Sequence, residues 1–264
     1  MTLRGKGINL QVLTECICYL LFGYLLFQLT YSGGYLNYVT PRMKPYLYGM
    51  SALMLLWAVF TGRYLLTPRY RVKLARSFVF IIPILLLAFR PADPGGSSMV
   101  RSYESSGFSM GFGNGGTDAY PEDDTGQSYG EENPWYELNG LNGEARTITI
   151  SDDDYYTWMY ELSNYYEKYI GWTVEIKGFV YRSEDITRKC DFVLVRLAMW
   201  CCAADLTPMG FLINAEKGDQ FQDNEWVTVK GTLGITGDGN SIILQAESIE
   251  PAQKPEEEYI YPYF

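Results

Sequence analysis

Three apolar runs within the first ninety residues constrain this chain more than any other feature. They cover roughly residues 8–29, 46–62 and 77–89. A membrane-spanning helix needs about 20 apolar residues at 1.5 Å rise per residue. The first run reaches that length and the second comes close. The third holds 13 residues between Arg76 and Arg90. Flanking arginines can snorkel, and Val72, Leu74 and Ala75 can lengthen the helix. The sequence therefore predicts a transmembrane domain over residues 1–90, with spans at about 8–29, 46–62 and 74–90. A cleaved signal peptide is the rival reading of the first run. Its basic start (Arg4, Lys6) fits, but bulky Tyr31, Tyr35 and Tyr38 follow Leu29 where small residues would mark a cleavage site. An interfacial aromatic belt matches them better.

Charge divides the chain at the same place. Residues 1–90 hold ten Lys/Arg against one acid, Glu15, whereas residues 91–264 hold eleven Lys/Arg against thirty acids. The net charge of −10 thus conceals a basic part and an acidic part, suited to two environments. An acidic soluble part repels phosphate backbones, which argues against nucleic acid as a partner. Within the membrane half, Arg63, Arg69, Arg71, Lys73 and Arg76 cluster in one short loop. The positive-inside rule puts that loop and the N-terminus in the cytoplasm, and three spans then send the C-terminal domain outside. Glu15 is either a functional acid within the membrane or an interfacial residue ahead of a span starting near Cys16. Cys16 and Cys18 stand two apart, off a common helix face, and read as small apolar residues.

Residues 91–146 contain eleven glycines, the acids Glu122, Asp123, Asp124, Glu131 and Glu132, and few aliphatic side chains. Such a segment buries too little apolar surface to offset its ordering entropy, so it reads as a flexible tether. Residues 147–264 read as a soluble domain. Ser151 followed by Asp152, Asp153 and Asp154 is a helix start, with an N-cap and acids facing the helix dipole. Tyr155, Trp158, Met159, Leu162, Tyr165, Tyr166 and Tyr169 then recur at spacings of three and four, which predicts an amphipathic helix ended by Gly171. Strand signals follow at 172–182, 192–200, 211–214, 226–235 and 241–249, the last two joined by a turn at 236–240. Gly178 and Gly231 lie inside strands, where glycine supplies the bends a barrel needs. The expected fold is a membrane α-helical anchor plus a soluble mostly-β domain, a small five-stranded OB-like barrel with one amphipathic helix. A small sandwich is the alternative.

The chain has no histidine, so Ser-His-Asp and Cys-His sites within it are excluded. One stretch breaks the strand pattern: Met199-Trp200-Cys201-Cys202-Ala203-Ala204-Asp205. Two thiolates and a carboxylate can supply three ligands to zinc or copper, with Cys190 as a fourth. The same cysteines can instead be redox-active, with Cys190 and one of the pair forming a disulfide outside the cell. The plain structural reading is small apolar cysteines beside a capping Asp205. Arg182 and Arg196 fall in predicted strands, where they pair with Asp205 or Asp185 or bind an anionic ligand. Trp158, Trp172 and Trp226 are either core or a platform for sugars or peptides.

Three features in order carry a family resemblance. They are Gly178-Phe179-Val180-Tyr181-Arg182, then Arg196 through Cys202-Ala203-Ala204-Asp205 to Gly210, then Trp226-Val227-Thr228-Val229-Lys230-Gly231-Thr232-Leu233, with a terminal Tyr259-Ile260-Tyr261-Pro262-Tyr263-Phe264. Together they resemble the YcgQ-like family of bacterial membrane proteins, described as permease subunits. The resemblance implies a non-enzymatic accessory subunit in the cell membrane, serving a separate multi-spanning permease and concerned with metal homeostasis, zinc being the first candidate. The family's Cys-x-Ala-Asp pattern falls on Cys202, Ala204 and Asp205. Some members carry a histidine-rich tract between the second and third spans. Here that position is the basic segment 63–76, which leaves Cys201, Cys202 and Asp205 as the metal candidates.

Overall fold

The computed structural model describes residues 9–66, 78–89, 96–105, 138–184, 186, 190–216, 218–236 and 241–262. The chain forms two compact units, Met1–Asp93 and Pro94–Phe264.

The first unit is helical. Helix α1 (Leu10–Tyr31) is capped by Asn9, whose Oδ1 accepts from the Val12 N–H at 3.3 Å. Helix α2 (Lys44–Gly62) runs back along it. Small residues let the two approach closely. Ser51 Oγ donates to the Gly23 carbonyl at 2.7 Å, and a Cβ on Gly23 would stand 3.2 Å from Leu55. Both helices are long and apolar enough to cross a membrane, the second counted from Pro41. Helix α3 (Phe78–Ala88) packs on α1 through Phe80, set edge-on to Tyr19 at 5.1 Å. Its described 11 residues reach about 16 Å at 1.5 Å each, short of a bilayer core. The expected extension across 74–77 lies outside the described residues, as does most of the basic loop. Glu15 lies in the second turn of α1, where Gln11 Nε2 donates to it at 3.0 Å.

The second unit is a closed five-stranded barrel with additions. Its strands are β3 (Thr173–Tyr181), β4 (Phe192–Ala198), β5 (Thr207–Asn214), β6 (Trp226–Ile235) and β7 (Ile242–Pro251), preceded by the short β1 (Leu141–Asn142) and β2 (Thr147–Thr149). The order around the barrel is β3-β4-β5-β7-β6, and β6 pairs back with β3. Only β5 and β7 run parallel within the ring. Phe179 marks the closure, opposite Val195 of β4 on one side and Trp226 of β6 on the other. The ladder between β6 and β7 shifts register at Lys230/Gly231, the bulge that the strand glycine predicted. A Cβ on Gly231 would lie 2.4 Å from the Gln245 carbonyl, and one on Gly210 only 1.8 Å from that of Leu194. The sandwich alternative is thereby overturned, because β3–β6 pairing closes the sheet on itself. The expected turn at 237–240 lies outside the described residues, but β6 and β7 pair as the hairpin requires.

Helix α5 (Tyr155–Tyr165) begins three residues later than its sequence signal, with Asp154 rather than Ser151 at the N-cap. Ser151 Oγ accepts from the Asp154 N–H at 3.2 Å, so the serine closes a turn ahead of the helix rather than capping it. Tyr155, Trp158, Met159 and Leu162 plug the barrel interior beside Val174, Phe192, Leu194 and Phe211. Each such buried apolar side chain contributes about 1.5–3 kcal/mol.

A second cluster covers the outer face of β4. It joins Phe179, Val193, Val195 and Leu197 to Val100 and Tyr259. Strand β4 is consequently buried along its whole length, on both faces. Val100 belongs to α4 (Gly96–Ser105), a helix inside the segment read as a tether. The reading of 91–146 as uniformly flexible is corrected here. Ser97 N–H donates to Asn224 Oδ1 at 2.7 Å, and Val100 is fully buried against the barrel. The buried Val100 and hydrogen bonds from Ser97 to Asn224 and to the Val180 carbonyl dock a helix that composition alone does not reveal. Residues 106–137, with their acids, lie outside the described part.

Candidate functional site

Strand β4 ends at Ala198, and the chain crosses the barrel rim as Met199-Trp200-Cys201-Cys202 before the single turn of 3-10 helix Ala203–Asp205. Three contacts fix this loop. Met199 is buried, and its N–H donates to the Ile260 carbonyl at 2.8 Å. Trp200 packs edge-on against Tyr156 of α5 at 5.5 Å. Asp205 folds back over the loop: its Oδ1 accepts from the Trp200 N–H at 2.9 Å, and its Oδ2 from the N–H groups of Cys201 at 2.7 Å and Cys202 at 3.2 Å. Cys202 and Asp205 form a reciprocal capping box across the turn. The small Ala203 and Ala204 leave room for so tight a turn.

This folding brings Cys201 Sγ, Cys202 Sγ and an Asp205 carboxylate oxygen within 4.8 Å of one another. The two sulfurs stand 3.6 Å apart. Two sulfurs bound to one tetrahedral zinc at about 2.3 Å lie about 3.8 Å apart, so the observed spacing needs almost no change. Cys201 is exposed and Cys202 half-buried, which leaves an approach from solvent.

The electrostatics follow from the hydrogen bonds. Burial alone pushes the Asp205 carboxyl up, but the Cys201 thiol and three backbone N–H groups outweigh it and hold the group below the ordinary carboxylate range. Hydrogen bonds to Asp205 and then to Cys202 push the Cys201 thiol up to about 12. The Cys201 thiol is therefore held in its protonated form, 3.6 Å from the Cys202 sulfur. A divalent ion there must displace that proton, as metals do when thiolates bind them.

The other sequence-predicted residues are elsewhere. Cys190 is buried just before β4, and its thiol faces the carbonyls of Ile186 and Phe192. Cys201 lies just past the other end of the strand, roughly 20 Å away at 3.3 Å per residue. Cys190 is thus neither a fourth ligand nor a disulfide partner for the pair, since a disulfide needs Cα atoms within about 7 Å. Arg182 pairs with Asp223 at 3.4 Å and donates to the Gly218 carbonyl at 2.7 Å. Arg196 pairs with Asp152 and not with Asp205; Asp185 lies outside the described residues. Trp158 and Trp226 are buried in the barrel's clusters, away from any stacking surface.

Sequence reasoning missed the segment that closes the site. Residues 259–261 pair beside β4, with Ala198 bridged to Ile260 and the Ile260 N–H donating to the Leu197 carbonyl at 2.9 Å. Its signal was the aromatic run Tyr259-Ile260-Tyr261-Pro262-Tyr263-Phe264, which carried the family resemblance but was not read as a pairing segment.

These features define a class: an apolar helical unit joined to a closed five-stranded barrel with a Cys-Cys-x-x-Asp loop on its rim. The chain belongs to the DUF1980 family, whose N-terminal domain matches residues 14–104 and whose C-terminal domain matches residues 127–262. It is similar to the UPF0703 protein YcgQ of Bacillus subtilis (strain 168), with 26% identity over 194 residues, spanning 70% of this chain and 68% of that protein. No solved structure matches significantly. The resemblance to the YcgQ-like family thus holds.

Proposed function

We propose that this chain is a membrane-anchored, non-enzymatic accessory subunit whose barrel binds zinc, or another borderline divalent ion, at Cys201, Cys202 and Asp205 for a separate multi-spanning permease. The anchor reading rests on α1 and α2, whose outward side chains such as Leu20, Leu56 and Val59 suit lipid. The topology read from charge has the N-terminus cytoplasmic and the barrel extracytoplasmic, with α3 as a short third span. Strand order and the parallel β5–β7 pair support an OB-like barrel, a fold that commonly presents ligands on its rim and face.

The observation that carries the metal reading is the spacing of three ligand atoms within 4.8 Å on an accessible loop. A thiol-redox role fits less well. Hydrogen bonds to Asp205 and Cys202 raise the Cys201 thiol above its ordinary range, and the thiolate is the nucleophile. Metal content of the full chain, purified reduced in detergent, tests the site. One equivalent of zinc, lost in Cys201→Ser/Cys202→Ser, is the expected result; equal content in both proteins would sink it. Co-purification from native membranes tests the permease partner, and a chain that always behaves as a lone monomer would count against it.

A further inference from the structure

The donors of the cysteine loop fall one short of a closed tetrahedral set. Structural zinc sites take four protein ligands, whereas catalytic ones take three and leave a position for water or substrate. Among the described residues, no further Cys, Asp or Glu joins Cys201, Cys202 and Asp205. The chain has no histidine to add. Cys190 is turned toward the carbonyls of Ile186 and Phe192, at the other end of β4.

Asp205 cannot make up the difference by binding through both oxygens. An ionised carboxylate has about four lone-pair sites. Oδ2 accepts from the N–H groups of Cys201 and Cys202, and Oδ1 accepts from that of Trp200. Those bonds hold the loop and leave one site, on Oδ1, for an ion. Chelation by both oxygens would take lone pairs from the backbone N–H groups that set the turn. The carboxylate therefore gives a single bond, and the protein supplies three in all. The two sulfurs differ in access, since Cys201 is exposed and Cys202 half-buried. The bond to Cys201 is the one that an incoming ligand can reach and replace.

We propose that this loop is a transfer site, which holds zinc as cargo through three bonds and passes it to an acceptor whose thiolate or imidazole enters the open fourth position. The proposal rests on the metal reading given above. The acceptor bonds to the ion first, and the bond between zinc and the Cys201 sulfur then breaks. Cys201 takes up a proton, supplied by the acceptor's thiol or, for a neutral imidazole, by water. The ion stays Zn²⁺ throughout, so no oxidant or reductant takes part. The partner that receives it presents its sulfur or nitrogen ligand on a projecting segment, able to meet Cys201 on the barrel rim.

The full chain, reduced and loaded with zinc in detergent, tests this when mixed rapidly with excess pyridylazoresorcinol, a chelator that changes colour on taking the ion. Entry at an open position makes transfer bimolecular, so doubling the chelator should double the rate, with no plateau. L-cysteine, at a concentration too low to hold the zinc itself, should speed the transfer, and L-serine should not. A rate indifferent to chelator concentration would mean that the ion leaves a closed site before any acceptor arrives. That result overturns the transfer proposal and leaves the metal reading standing. L-cysteine and L-serine acting alike would overturn the acceptor chemistry. A chain that takes up no zinc at the loading step overturns the metal reading and the transfer proposal together.

Discussion

The two units of this chain arrange their apolar residues in opposite directions. In the helical unit, Leu20, Leu21, Leu56, Val59 and Phe60 all point outward, and the contacts between α1 and α2 run through small residues such as Gly23, Ser51 and Ala58. In the barrel, β4 buries every side chain, and among the described residues charge is kept to the surface except for Arg196 and Glu161. On the membrane reading proposed above, the difference teaches that each unit is built for a different solvent. Where the surroundings are as apolar as leucine, packing and hydrogen bonds between helices are what remains to hold them together. Where the surroundings are water, the hydrophobic effect does most of the work.

The comparison can be broken most severely at a barrel glycine. Gly210→Val places a Cβ where only 1.8 Å separates it from a carbonyl oxygen. It should destabilise the barrel by about 3 kcal/mol or more, read as a lower urea midpoint by tryptophan fluorescence. If the midpoint barely moves, the closed barrel is wrong. Arg196→Ala comes next, at about 3 kcal/mol, because it removes stacking on two rings and abandons the Glu257 and Glu258 carbonyls. Arg196→Met should recover part of that loss by filling the volume; a methionine variant no better than alanine would mean that charge alone matters.

Asp205 has a smaller effect with a pH signature. Its folded carboxyl titrates below the unfolded value of 3.8. The resulting stability is present in full above that value and is lost as pH falls through the folded one. Asp205→Asn should cost about 1 kcal/mol near neutrality and lack this acid limb. It should also speed alkylation of Cys201 by iodoacetamide at pH 8, since the carboxylate is the largest cause of the raised thiol pKa. Unchanged rates would place the thiol proton elsewhere. The smallest effect belongs to the helical unit. Ser51→Ala removes one interhelical hydrogen bond and should cost roughly 0.6 kcal/mol in detergent. A loss as large as that of Gly210→Val would erase the contrast between the units.

The sequence disclosed what is local. The Cys201, Cys202 and Asp205 group was legible because its members lie within five residues, so one turn brings them together. Strand glycines Gly178 and Gly231 announced a curved, closed sheet. Long-range contacts were hidden. Arg196 meets Asp152 and the Glu257 carbonyl, 44 and 61 positions away, and nothing in its own surroundings names them. Helix α4 escaped notice because Gly96-Ser97-Ser98 resembles a linker until Val100 finds the outer face of β4. The same face explains why β4 has no polar-apolar alternation: both sides are covered, so the period-two signal vanishes.

The position of β4 has one further consequence. It is bonded on both edges and covered on both faces, so its amide protons should be among the last to exchange with deuterated solvent. The cysteine loop springs directly from that strand and is held by three backbone bonds to a single carboxylate. On the proposed metal reading, an arriving ion would meet sulfurs held close together, with little chain entropy left to lose on capture.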